Sequence, residues 1–178
     1  AEDSAGNIYV GTSDQLCKFG ADDSIEILDT DITFQKSMLV YEDKLIVMDN
    51  TGGLYALDGT NQLTVSDPAM EQYFYYCMTV TENGLLVGTE TGELFIFGID
   101  ETGLVCKEKI TLGVKQISAV FEDTKDRVWV ATDEGFGYLT GKDRYHVMDV
   151  EGFETDIDCF LEDYQGNIWI ASPYYGVM

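Results

Sequence analysis

One histidine, His146, is all that 178 residues contain. Any Ser-His-Asp arrangement or imidazole-based metal site would have to use that residue. Basic residues are also scarce: ten Lys and Arg stand against 33 Asp and Glu, a net charge of −23. Such a surface repels nucleic acid phosphates and anionic lipid headgroups, so neither nucleic acid nor direct membrane contact is expected. No apolar run reaches the roughly 18 residues of a membrane-spanning helix. Ala1-Glu2-Asp3 carries neither a starting Met nor a basic leader, so a mature or excised segment is expected.

Cys17, Cys77, Cys106 and Cys159 form no C-x-x-C pair, and none lies near His146, which argues against zinc. Each lies in an apolar strand context and is expected to be a buried free thiol. G-x-S-x-G elbows, P-loops, H-E-x-x-H and EF-hand loops are absent from the sequence. Asp29-Thr30-Asp31 and Asp156-Ile157-Asp158 have calcium-like spacing but read as solvated loop carboxylates. No catalytic residue, metal or cofactor is expected.

What the chain does contain is a repeat. Apolar strands recur near residues 7–12, 44–49, 84–89, 127–132 and 167–172. Val10, Val47, Val87, Val130 and Ile170 mark equivalent positions, 37, 40, 43 and 40 residues apart by subtraction of their numbers. A period near 40 residues fits a unit of four short strands. In the fourth copy these are Ile117 to Phe121, Val128 to Ala131, Phe136 to Leu139 and Arg144 to Met148. Turns at Thr124 to Asp126, Asp133 to Gly135 and Gly141 to Asp143 join them. Gly92, Gly135 and Gly176 recur before the third strand, where a positive φ is expected.

Glu-Asp pairs recur before the second strand at Glu2-Asp3, Glu42-Asp43, Glu122-Asp123 and Glu162-Asp163. A repeated acidic site is one reading of them. Asp side chains bonding the turn backbone is the preferred one, since a site rarely recurs in every unit.

Leu45-Ile46-Val47-Met48, Leu85-Leu86-Val87 and Ile168-Trp169-Ile170 are apolar without alternation, as in strands buried on both faces. Small sheets covered on both faces stack around an axis, which makes this an all-β β-propeller of four-stranded antiparallel blades. About four and a half blades are present, running from the second strand of one blade to the third strand of another. Trp129 and Trp169, at equivalent positions, are expected between blades. Asp67-Pro68-Ala69-Met70 is read as one helical turn between two of them.

The run Glu162-Asp163-Tyr164-Gln165-Gly166-Asn167-Ile168-Trp169-Ile170-Ala171-Ser172, followed by Gly176-Val177, resembles the two-component regulator propeller repeat. Glu122 to Leu139 resembles it again, and Gly6 to Thr12 more loosely. The second and third copies lack the Trp, and Met48-Asp49 replaces Gly-Thr. The resemblance implies an extracytoplasmic sensor segment of a membrane-anchored bacterial regulator, with a larger propeller of about seven blades. It further implies signalling domains such as a histidine kinase elsewhere in the protein, and a carbohydrate-derived ligand; stacking on exposed tyrosines would suit a carbohydrate or a peptide ligand alike.

Binding is expected at the aromatic loop Tyr73, Tyr75 and Tyr76, with Arg127 and Arg144 contributing charge and Tyr174-Tyr175 as a weaker candidate. Two other functions remain open: a propeller-scaffold enzyme of lyase or lactonase type, and an extracellular interaction or adhesive module. Exposed sheet faces at the two ends of the repeat array also predict self-association of the segment.

Overall fold

The computed structural model describes residues 1–32, 35–59, 61–141, 144–151 and 156–178. Lys142 and Asp143, part of the expected turn after Gly141, lie outside these residues. Five antiparallel sheets follow one another along the chain. The first holds β1 (Ile8–Gly11), β2 (Leu16–Phe19) and β3 (Ile25–Leu28). The second holds β4 (Gln35–Tyr41), β5 (Lys44–Asp49), β6 (Leu54–Asp58) and β7 (Asn61–Leu63). The third holds β8 (Tyr75–Thr81), β9 (Gly84–Thr89), β10 (Glu93–Asp100) and β11 (Gly103–Thr111). The fourth holds β12 (Ile117–Glu122), β13 (Val128–Thr132), β14 (Gly135–Leu139) and β15 (Tyr145–Met148), and the fifth β16 (Cys159–Glu162), β17 (Ile168–Ser172) and β18 (Gly176–Val177).

In every sheet the strands lie in chain order, each paired with the next, as a meander of short hairpins requires. Three strands at each end and four in each middle sheet match the expected partial first and last blades. Among the described residues one 3₁₀ turn, Pro68–Met70, is capped by Asp67, whose carboxylate accepts the Ala69 N–H at 2.9 Å.

The chain divides into two compact units, residues 1–72 with 99–105 and residues 73–98 with 106–178. In the first unit, Leu16 and Ile32 pack with Leu45, Val47 and Leu57, joining the first two sheets. The tip of the β10–β11 hairpin belongs to this unit, where Ser66 N–H donates to Leu104 O and Leu104 N–H to Thr64 O. In the second unit the first strands β8, β12 and β16 pack successively against one another. Leu86, Leu94 and Ile110 meet Ile117, Val120 and Val130 between the third and fourth sheets. Ala119, Trp129, Ala131 and Phe136 meet Ile157, Phe160 and Ile170 between the fourth and fifth.

The Glu-Asp pairs explain how each turn is held. Asp163 Oδ1 accepts the N–H groups of Gln165 and Asn167, while Oδ2 accepts Asn167 Nδ2 and Trp169 Nε1 at 2.9 and 3.0 Å. Asp123 does the same for Lys125 and Arg127 N–H, Arg127 Nε and Trp129 Nε1. Asp3 takes Ala5 and Asn7 N–H, Asn7 Nδ2 and Tyr9 OH. Donors therefore sit two, four and six residues beyond each Asp. The third residue beyond it must be left-handed to bring them inward, and it is Gly6 (φ 81°), Asp126 (φ 59°) and Gly166 (φ 80°). Asp49 holds the β5–β6 turn by the same rule, with Thr51 and Gly53 N–H and Tyr55 OH.

The Glu of the pair reaches elsewhere. Glu122 Oε2 accepts the Glu82 N–H at 2.7 Å, and Glu162 accepts Thr124 N–H and Oγ1, both at 2.7 Å. Each ties its own repeat to the one before.

Several expectations need correction. Glu42-Asp43 is no carboxylate-held turn: both residues have positive φ, 48° and 58°, and form the two-residue hairpin loop itself. Burial on both faces holds for β5, β9 and most of β13, but not for β1 or β17. Trp129 is 6% exposed, with Phe160 and Tyr138 against it, whereas Trp169 is 44% exposed. Both indoles nevertheless make the same bond to aspartate. Cys159 is an exposed thiol rather than a buried one, while the other three are half-buried.

Trp129→Ala is expected to cost about 3–5 kcal/mol and Trp169→Ala no more than about 1–2, read as urea midpoints and slopes. The aspartates also set an acid limit. Hydrogen bonds, first from the Asn167 side chain and then from Trp169, hold the Asp163 carboxyl far below its ordinary value. Those from Asn7 and Tyr9 hold Asp3 at about 2. Burial would raise Asp123, yet the donors on Trp129 and Arg127 outweigh it and the group stays low. A carboxyl lowered by folding stabilises the fold above its unfolded value, 3.8, and withdraws that contribution as pH falls through the folded value. Stability should therefore change little on these groups from neutral pH to about 4 and fall steeply below it. Asp123→Ala, which leaves a buried indole N–H without its acceptor, should lose about 1–3 kcal/mol at pH 7 and show a shallower acid fall.

Candidate functional site

Strand direction gives each sheet of the second unit two ends. The connections into β8 and β12 and the β9–β10 and β13–β14 turns share one end; the aspartate-held turns share the other. At the first end the inner strands carry a recurring bulge, between Tyr75 and Cys77 in β8 and between Ile117 and Ala119 in β12. A bulge turns one side chain out of the ladder, and such irregularities gather beside binding sites.

Tyr73 stands just ahead of β8 and packs edge-on to Phe95, with ring centroids 4.8 Å apart. Lys109, on the outer strand β11, donates to the Tyr73 hydroxyl at 2.7 Å and lies 4.9 Å from the ring centroid. Its ammonium is also 3.6 Å from Glu93 Oε1. Glu93 in turn accepts the hydroxyls of Thr91 and Thr89. The Tyr73 hydroxyl, then the Glu93 carboxylate, holds the Lys109 ammonium above its ordinary value, so it is cationic across the physiological range. Asp133 accepts the Lys115 and Gln116 N–H groups and fixes the neighbouring β11–β12 connection at the same end. Gly92 belongs here too: a Cβ would meet Val114 O at 2.0 Å, so only Gly admits that approach. An aromatic face, a fixed cation and hydroxyls side by side suit hydrogen bonding and stacking.

The structure separates the expected binding residues. Tyr73 and Tyr76 are half-buried, Tyr76 at the bulge itself. Tyr75 is 2% exposed and edge-on to Phe95 and Phe97, so its ring belongs to the core. Arg127 and Arg144 lie at the opposite end, in the β12–β13 and β14–β15 connections, away from the tyrosines. Arg127 is committed to Asp123 at 2.6 Å and stacks on Trp129 at 5.1 Å, as part of the turn. Arg144 is exposed. Tyr174 and Tyr175, in the β17–β18 turn, are 78% and 48% exposed. His146 is exposed on the outer strand β15, beside Tyr138. Among the described residues no three His, Cys, Asp or Glu side chains gather to hold a metal.

Sequence reasoning missed Lys109 and Glu93. Their only signal is the alternating Lys107-Glu108-Lys109 in a chain poor in cations, and their partnership with Tyr73 spans 36 residues. It also missed an open cleft of about 360 Å³ between the third and fourth sheets. Ile96, Ile110, Val128 and Leu139 line it, with Glu108 and Asp126 beside them.

Residues 152–174 match the two component regulator propeller family, so the fifth repeat is of that kind. No curated protein sequence matches the chain. Among solved structures, the extracellular domains of two hybrid two component systems of B. thetaiotaomicron are similar in fold. One is 17% identical with a TM-score of 0.75, covering 97% of this chain and 25% of that one. The other is 16% identical with a TM-score of 0.70, covering 96% and 25%. This chain thus spans a quarter of each. Virginiamycin B lyase from Staphylococcus aureus is also similar, at 11% identity and a TM-score of 0.66, over 100% of this chain and 67% of that one. These likenesses bear out the β-propeller architecture.

Tyr75→Ala should cost about 3–5 kcal/mol, as for a buried aromatic ring, while Lys109→Met should change stability by no more than about 1 kcal/mol. Chemical denaturation of both variants checks this division between core and available surface.

Proposed function

We propose that this chain is part of the extracytoplasmic, ligand-sensing region of a two-component-type signalling protein and is not an enzyme. The two component regulator propeller repeat at residues 152–174 carries this reading. Fold likeness to extracellular domains of hybrid two component systems supports it. A sensor needs differential contact with a ligand rather than a reaction centre. The face formed by Tyr73, Lys109 and Glu93 offers such contact, with Tyr76 at the bulge close by in β8, and its ligand is an oligosaccharide or short peptide that stacks on Tyr73 and accepts from Lys109. Anchoring to the membrane and coupling to an output domain belong to other parts of the protein.

The lyase likeness favours a second reading, which the histidine count opposes. A histidine-to-alanine variant of the Staphylococcus aureus lyase is catalytically inactive. Here the one histidine is exposed on an outer strand.

Thermal shift of the chain against neutral and acidic oligosaccharides and short peptides should yield hits. Tyr73→Ala and Lys109→Met should each weaken a hit by about tenfold or more, the worth of one stacking or charged contact. A hit unaffected by both variants would remove this face, and turnover of a hit that is lost in His146→Ala would overturn the non-enzymatic reading.

A further inference from the structure

The cleft between the third and fourth sheets has its origin in three positions of the repeat. In the fourth repeat Trp129 lies across from Tyr138, and the Arg127 guanidinium stands over both rings, 5.1 and 6.0 Å from their centroids. Counting from the equivalent Val130 and Val87, the third repeat has Leu86 for Trp129, Ile96 for Tyr138 and Gly84 for Arg127. Gly84 has no room for a side chain: its φ is 139°, and a Cβ would lie 2.5 Å from Phe97 O. Two rings and a guanidinium are replaced by two aliphatic side chains and a bare Cα.

What remains is an open space of about 360 Å³, at the small end of the range for ligand sites. Ile96 and Ile110 line it from the third sheet, Val128 and Leu139 from the fourth. Exposed Asp126 and Asn83, with half-buried Glu108, supply its polar lining, and no cationic side chain is among the described lining residues. Lys109 alternates with Glu108 and Ile110 along β11 and turns instead to Tyr73 and Phe95. The cleft is therefore separate from the Tyr73 face.

We propose that this cleft binds a small aromatic cation, an aryl-alkyl amine whose ring fills the space held by Trp129 and Tyr138 one repeat later and whose ammonium stands in for Arg127. The fourth repeat is the template, since it puts a ring and a cation in the same place from its own side chains. Only the answering carboxylate differs. Asp123 takes that part in the fourth repeat, but strand register puts Thr81 at its place in the third. Asp126 and Glu108 at the cleft supply the charge instead. A chain of net charge −23 also draws cations toward it. This inference does not depend on the sensing role.

Amide chemical shifts of the chain, titrated with tryptamine, tryptophol and indole-3-acetate, give the test, because the three share a ring and differ in charge. Tryptamine should bind saturably, with shifts centred on residues 83–84, 96, 108–110, 126–128 and 139–141. It should bind about tenfold or more tightly than the other two. Butylamine, a cation without a ring, should not saturate. Asp126→Asn keeps the shape and suits the left-handed backbone at φ 59°, and should weaken tryptamine about three- to fivefold, the worth of an exposed charge pair. Ile96→Tyr restores the ring of the fourth repeat and should abolish binding. Glu90→Gln, the same loss of charge in the β9–β10 turn at the other end of the sheet, should leave binding unchanged. If Ile96→Tyr fails to match the parent's circular dichroism, Asp126→Asn decides alone. Tryptamine that does not saturate, tryptophol or butylamine binding as tightly, shifts spread over the acidic surface, or binding unaltered in the folded variants at Asp126 and Ile96 would each overturn the proposal.

Discussion

The carboxylate of Asp123 accepts two main-chain N–H groups, a guanidinium and an indole, all within seven residues of chain. Four donors on one ionised acceptor give charge-assisted bonds, each stronger than a neutral pair. The turn is thereby closed, the hairpin register is set, and the indole is aimed into the joint with the next sheet. Asp3 and Asp163 repeat the arrangement with Tyr9 and Trp169. Asp49 moves it one hairpin along the chain. Sheet pairing and sheet stacking, usually separate problems, are here solved by one side chain.

This is why so much of the architecture could be read from sequence. The donors lie two, four and six residues from the acceptor, so the whole device fits in a short window and recurs with each repeat. The Trp, the Gly or Asp at the left-handed position and the Asn at the fourth place are its visible parts. Where the window lacks them, as around Glu42-Asp43, the turn has a different construction, and the Glu-Asp dipeptide alone misled.

What could not be read depends on which surface meets which. Trp129 and Trp169 hold equivalent places in the repeat and make the same indole bond to aspartate, yet one is sealed and the other is 44% exposed, because sealing requires a neighbouring sheet. Tyr73 and Tyr75 are two residues apart and look alike in sequence. Both rings meet Phe95, but Tyr73 stands ahead of β8 and reaches Lys109, while Tyr75 lies inside the strand and is buried against Phe97 as well. Arg127 looked like a free cation because nothing in a list of residues shows that Asp123 has already taken it. The candidate face itself, joining Tyr73 with Lys109 and Glu93, exists only through pairing across the third sheet.

The glutamates that precede Asp123 and Asp163 have a different kind of partner. Glu122 takes the main-chain N–H of Glu82, and Glu162 takes that of Thr124. Every residue but proline carries such a donor, so the main-chain part of each fastening does not depend on which side chain the preceding repeat presents, although Thr124 adds its hydroxyl. Substitutions can accumulate at residue 82 without loosening the link, and at residue 124 they give up only the hydroxyl's share of it. A repeat array fastened in this way tolerates drift in individual copies, and the third repeat, which has lost both its aspartate and its tryptophan, still sits firmly against the fourth.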